Sequence, residues 1–140
     1  MGSDMSFADE RQAIEARIST NWTTTPVQYE NVSFTKPNDN EYVSLVILPG
    51  AASQIDMADS PMHRHIGVIT MQVFGPADAG TNTARTHADG LAAIFRNAQF
   101  TAGSSGTILC RSPEISRVGV VNGIFQLNVS VPYQRDVTYS

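Results

Sequence analysis

Residues Arg64 to Phe95 read RHIGVITMQVFGPADAGTNTARTHADGLAAIF: an apolar run, a Phe74-Gly75-Pro76 turn, a glycine at Gly80, then small and apolar residues at helical spacing. Ile66 to Phe74 predicts a strand. Ala84, Ala88, Leu91 and Phe95 recur at four, three and four, which predicts a helix capped by Thr81 or Asn82. Its contact face is small, with Ala84, Ala88, Ala92 and Ala93 near it, so such a helix can lie close on a sheet. The segment from Gly75 to Asn82 has the glycine spacing of a phosphate-binding loop. It lacks that loop's lysine, Asn82 stands where a magnesium-binding hydroxyl is needed, and Pro76 removes a backbone donor. A strand, turn and helix with no catalytic signature point to contact as the purpose of this stretch.

Upstream, Ser6 is placed to cap a helix reaching about Asn21, with Asp9 and Glu10 in its first turn at the positive end of the dipole. Phe7, Ile14, Ile18 and Trp22 form its apolar stripe, and Arg11, Glu15 and Arg17 point elsewhere. Met1 to Met5 is a flexible polar lead. Pro26 ends the helix, Val27 to Val32 predicts a short strand, and Lys36 to Asn40 is turn chemistry. Tyr42 to Leu48 is almost unbroken apolar sequence, which predicts a strand buried on both faces. From Ala51 to His63 the chain is small and polar apart from Ile55, Met57 and Met62. A connection of that length reads as an arm reaching to a neighbour.

Downstream, Thr101 to Gly106 reads as a loop, and Thr107 to Arg111, Ile115 to Val121 and Ile124 to Tyr133 as strands. Asn122-Gly123 is a hairpin signal, because both central residues of that turn need positive φ. In the last strand Phe125, Leu127, Val129 and Val131 alternate with Gln126, Asn128 and Ser130, so one face is core and the other wet or paired. The whole predicts one α+β domain: a mostly antiparallel β-sheet with two α-helices packed on it.

Bulk properties narrow the function classes. The chain has 140 residues, 41% of them hydrophobic, enough for one core. Its formal net charge is −4 and Lys36 is the only lysine, which disfavours a protein that grips phosphates along a basic groove. No apolar span of membrane length occurs, so the sequence predicts a soluble protein with no membrane partner. The single cysteine, Cys110, suits a reducing compartment and reads as a small buried hydrophobe.

Candidate chemistry is sparse. His63 and His65 sit two apart at the start of a strand and point the same way, and Asp56 or Asp59 could complete a metal set. The plainer reading is a solvated loop end. There is no nucleophile elbow and no histidine beside Cys110 in sequence, so no catalytic, cofactor or metal residue is assigned. Trp22, Phe34 and Tyr42 lack the basic neighbours of a base-stacking surface and read as core or interface.

Glu30-Asn31-Val32-Ser33-Phe34, Leu48-Pro49-Gly50, Arg64 to Gly67 leading to Val73-Phe74-Gly75-Pro76, then Gly80, Ala84, Ala88-Asp89, Phe95 and Val131-Pro132-Tyr133 occur in a telling order. Together they resemble the tail terminator or tail-completion proteins of tailed phages, the gpU protein of lambda-like phages among them, from about Arg11 to Asp136. That family brings no catalytic motif and no cofactor. The resemblance implies a virion protein, assembled in the host cytoplasm, that forms a ring with copies of itself, usually a hexamer. The ring would cap the tail tube, stop its growth and offer the head-completion or connector protein a joining surface, with genomic DNA passing through its lumen without specific binding. An acidic balance suits such a channel. The expected subunit or tube contacts are Ile55, Asp56, Met57, Asp59, Met62 and Arg64. A head-closure (neck) or tail-tube protein is the neighbouring alternative, and a small metal-dependent enzyme or binder using His63 and His65 is the alternative of another class.

Overall fold

Alternation of apolar and polar residues in the long strands sorts every side chain to one of two sheet faces, and both helices settle on the apolar one. The computed structural model describes residues 3–30, 34–35, 41–54, 62–76, 82–101, 106–121 and 123–138. In chain order the elements are α1 (Ser3–Asn21), β1 (Val27–Gln28), β2 (Tyr42–Gln54), β3 (Met62–Pro76), α2 (Asn82–Phe95), β4 (Gln99–Thr101), β5 (Thr107–Cys110), β6 (Glu114–Val121) and β7 (Ile124–Thr138). They form the predicted α+β domain, a seven-stranded sheet in the order β1-β2-β3-β7-β5-β4, with β6 also paired to β7. Among the described strands only β1 with β2 is parallel. The centre is the antiparallel pair β3 and β7, in register from Met62 opposite Thr138 to Pro76 opposite Ile124.

The core joins Ile14, Ile18 and Trp22 of α1 with Ala84, Ala88, Leu91, Ala92 and Phe95 of α2, over Val43, Leu45 and Ile47, Ile69, Met71 and Val73, and Phe125 to Tyr133 at every second position. Cys110 is buried, as expected, and burial pushes its thiol up to about 11. Arg17 donates from Nε and Nη2 to the Ile94 carbonyl at 2.9 and 2.7 Å, placing a cation at the C-terminal turn of α2. That turn closes with Asn97 at φ 54, the left-handed conformation that asparagine tolerates. Gly123 stands at φ 77 between β6 and β7, where the hairpin signal placed it.

Several boundaries move. Helix α1 starts at Ser3, before the predicted cap at Ser6. Strand β1 is two residues long, and Thr101, the first residue of the predicted loop, closes strand β4 with Gln99 and Phe100. Ala93 is exposed, outside the contact face of α2. Ladder pairing shortens the long connection after Pro49, because β2 runs to Gln54 and β3 begins at Met62. The pairing slips between Pro49 and Ala52, as at a β-bulge. Strand β2 is not buried on both faces: Val43, Leu45 and Ile47 are in the core, Val46 is half-buried and Leu48 is 53% exposed. An apolar run followed the demands of two different surfaces, only one of them covered by helices. Of the two predicted caps of α2, Asn82 is the first residue of the helix, while Thr81, most of the phosphate-loop-like segment and residues 55–61 lie outside the described residues.

Candidate functional site: the open face of the sheet

Opposite the helices, the register sets side chains in rows across β2, β3 and β7. Near the middle the rows on these three strands carry no charge, Ser44, Gln72 and Asn128, then Val46, Thr70 and Ser130, and β6 extends them with Ser116 and Glu114. The next row, Leu48, Val68 and Pro132, is apolar, and Ile66 follows it opposite Gln134, which pairs in turn with Leu109 of β5. Leu48, Ile66 and Leu109 are 53%, 47% and 40% exposed, so three large aliphatic side chains share one patch of the open face. Beyond them Arg64 lies opposite Asp136, and Nε and Nη2 donate to its two carboxylate oxygens at 2.9 and 3.1 Å. The far end of the face closes with Phe34, Tyr42 and Phe74, rings 5.3 and 4.5 Å apart in turn; this is why Tyr42 is buried although it faces away from the helices.

Two hollows mark the apolar patch. One, of about 420 Å³, has Leu48, Pro49, Ile66, Val68 and Pro132 for walls and Arg111 at its rim. Arg111 is exposed, its backbone N–H bonds to the Pro132 carbonyl at 2.8 Å, and its Nη2 donates to Gln134 Oε1 at 2.5 Å. The other, of about 360 Å³, lies between Met62, Leu109, Gln134 and Asp136. Of the residues expected to make contacts, Met62 and Arg64 therefore stand on the open face beside these hollows. Ile55, Asp56, Met57 and Asp59 lie outside the described residues.

Odd-numbered positions of β3 place His63 and His65 on the opposite, helix-covered side. His65 lies across from Arg135, which with Glu10 and Tyr133 forms a polar knot that sequence reading missed. Arg135 Nε donates to Glu10 Oε2 at 2.7 Å, the Tyr133 hydroxyl donates to Glu10 Oε1, and Glu10 and Arg135 are 2% and 1% exposed. Burial, the Arg135 cation and His63 lower the pKa of His65 against the opposing pull of Glu10. Burial first, then the hydrogen bond to Glu10 and its charge, raises that of Tyr133, which keeps its proton. Gly67 is required here, since a Cβ on it would lie 2.6 Å from the Tyr133 oxygen. In sequence Glu10 reads only as a charge for the helix dipole. The signal available was phase: Arg135 continues the inward alternation of Val129, Val131 and Tyr133.

Among the described residues no three His, Cys, Asp or Glu side chains gather as a metal set. A buried guanidinium opposite His65 also opposes a second cation there. The open face offers apolar hollows, two arginines and uncharged polar rows, which is the chemistry of a contact surface.

The family model for phage tail terminator proteins matches residues 11–133. The chain belongs to the phage tail terminator family. A phage tail terminator is a structural protein of the tail. One solved chain, 22% identical, superposes with a TM-score of 0.71 over 100% of this chain and 98% of its own length. A second, from a structure described as the virion of a native gene transfer agent particle, gives a TM-score of 0.55 at 17% identity over 92% and 94%. These likenesses establish a shared fold. No curated protein matches. Among the described residues no helix is long and apolar enough to cross a membrane.

Proposed function

We propose that this tail terminator assembles with copies of itself into a ring, a hexamer, that seats on the end of the tail tube, halts its polymerisation and presents a joining surface to the head-completion protein. Beyond family membership, the observation that carries this reading is the one-sided sheet. Both helices cover one face, while the other leaves Leu48, Ile66 and Leu109 in water next to the Arg64–Asp136 pair. A head-to-tail interface uses two different patches of one subunit and closes into a ring when its rotation allows, leaving one end of the ring for the tube and another for the head. The uncharged rows of Ser44, Gln72, Asn128, Thr70 and Ser130 suit a lumen that DNA traverses, because they give phosphates no cation to hold. Met62 and Arg64, with Ile55, Asp56, Met57 and Asp59 of the arm, serve the subunit and tube contacts, and assembly takes place in the host cytoplasm.

Electron microscopy and sedimentation of the purified chain, alone and with tail tubes, test the proposal. Single rings that cap tubes and stop their growth are expected. A chain that stays monomeric at every concentration and ignores tubes would refute it, and open-ended stacks would make it a tube protein instead.

A further inference from the structure

The hollow beneath Arg111 combines an apolar floor with a single cation at its edge. Its walls, Leu48, Pro49, Ile66, Val68 and Pro132, carry no charge, and Arg111 forms no ion pair among the described residues. Its natural occupant is an apolar side chain with a carboxylate beside it. This chain carries such a sequence. Between Gln54 of β2 and Met62 of β3 it reads Ile55-Asp56-Met57-Ala58-Asp59-Ser60-Pro61, two large apolar residues interleaved with two aspartates and without a lysine or arginine.

We propose that the hollow is a socket for residues 55–59 of a neighbouring copy, with Ile55 or Met57 on the apolar floor and Asp56 or Asp59 on the Arg111 guanidinium. The inference rests on the ring reading and names the contact that would build the ring. Charge complementarity is one support, and reach is the other. Eight steps of chain from Gln54 to Met62, going out and returning, extend at most about 14 Å from the end of the strands at ~3.5 Å per residue. The middle of the hollow, at Val68, is six residues back along β3 from Met62, about 20 Å at ~3.3 Å per residue. Fully extended, the arm comes level only with the near wall of its own socket at Ile66, about 13 Å from Met62 at ~3.3 Å per residue, and falls short of its middle, which a second copy can fill. Socket and arm are different parts of one subunit, as a head-to-tail contact requires.

The test uses two full-length variants, Arg111→Glu and Asp56→Lys/Asp59→Lys, followed by sedimentation velocity over a concentration series. Arg111→Glu turns the socket negative against a negative arm, and the double lysine variant turns the arm positive against a positive socket. Each alone should assemble at least tenfold more weakly than wild type. Mixed one to one they should regain assembly, because every alternating contact then joins opposite charges. Variants that assemble like wild type, or a mixture that fails to recover, overturn the socket while the wild-type ring still stands. Loss of tube binding with intact rings assigns the hollow to the tube protein and likewise overturns it. A wild-type chain that never forms rings removes the ring reading itself. Thermal melts of both variants matching wild type exclude misfolding as the cause.

Discussion

Neighbouring residues of β7 belong to two different worlds. Tyr133 and Arg135 point under the helices, where Arg135 is 1% exposed and gripped by Glu10. Pro132 and Asp136 point the other way, onto a face shared with Leu48 and Ile66 that no helix covers. Beneath the helices a charged pair is buried, and on the open face Leu48, Ile66 and Leu109 stand in water; Ile115 and Val120 of the outlying β6 are exposed too. Each of the two places inverts the usual sorting of side chains. The inversion beneath the helices ties α1 to the sheet within one chain. The inversion on the open face has nothing to satisfy it within one described chain, which is why it is the place to look for assembly.

The largest expected effect tests the covered side. Glu10→Ala removes the carboxylate that holds Arg135 and accepts the Tyr133 hydroxyl, and breaking a buried pair in this way costs about 3–5 kcal/mol. Urea denaturation should show it as a lower midpoint. Glu10→Ala combined with Arg135→Met should recover most of the loss, since no buried charge is then left behind. A loss below about 1 kcal/mol for Glu10→Ala would mean that the knot is not what docks α1.

Gly67→Val should rank next. Its Cβ would stand 2.6, 2.7 and 2.8 Å from atoms of the Tyr133 ring and hydroxyl, so the ring must leave its place over β3. Overpacking of this kind costs about 1–3 kcal/mol, measurable by the same titration. Stability equal to wild type would show that Tyr133 can move without disturbing Glu10.

The two faces were not equally legible in the sequence. The core face of β7 followed from strict alternation, α2 from its four-three-four spacing, and the β6–β7 turn from Asn122-Gly123. The apolar run of β2 misled, because Val46 and Leu48 sit on the open face, where Leu48 is exposed, and apolar sequence alone does not tell which face the helices cover. Glu10 and Arg135 are 125 positions apart and of types normally exposed, so only the register of β7 brings them together. Of the site, Met62 is legible from the length of the connection that holds it, and Arg64 from the Arg64 to Gly67 stretch that carries the family resemblance. Arg111 was passed over, since nothing local separates a rim arginine from one at the end of any strand.

A pH titration sharpens the comparison with a smaller effect. His65 on the covered side has its pKa lowered by burial, by Arg135 and by His63, with Glu10 opposing, so the folded chain binds its proton less readily than the unfolded chain. The stability tied to the neutral ring is therefore complete above about pH 6.5 and is lost as the pH falls through and below that value. Denaturation at about pH 7.5 and 5.5 should show a loss in wild type that is reduced in His65→Asn. An identical pH slope in both would remove His65 from the account.

The smallest expected effect on stability is also the sharpest contrast between the faces. Leu48→Ser and Ile66→Ser replace side chains already 53% and 47% exposed, so little burial is lost and each should change the free energy of unfolding by no more than about 0.5 kcal/mol. The same variants remove the apolar floor from the hollow beneath Arg111, and ring assembly should weaken while the melting curve of the dilute monomer stays in place. A covered residue such as Leu127, 2% exposed, should behave the opposite way on change to alanine, losing about 2–5 kcal/mol in the monomer itself. If Leu48→Ser unfolds the monomer, the open face belongs to the core of a single chain; if it alters neither stability nor assembly, these side chains are ordinary surface.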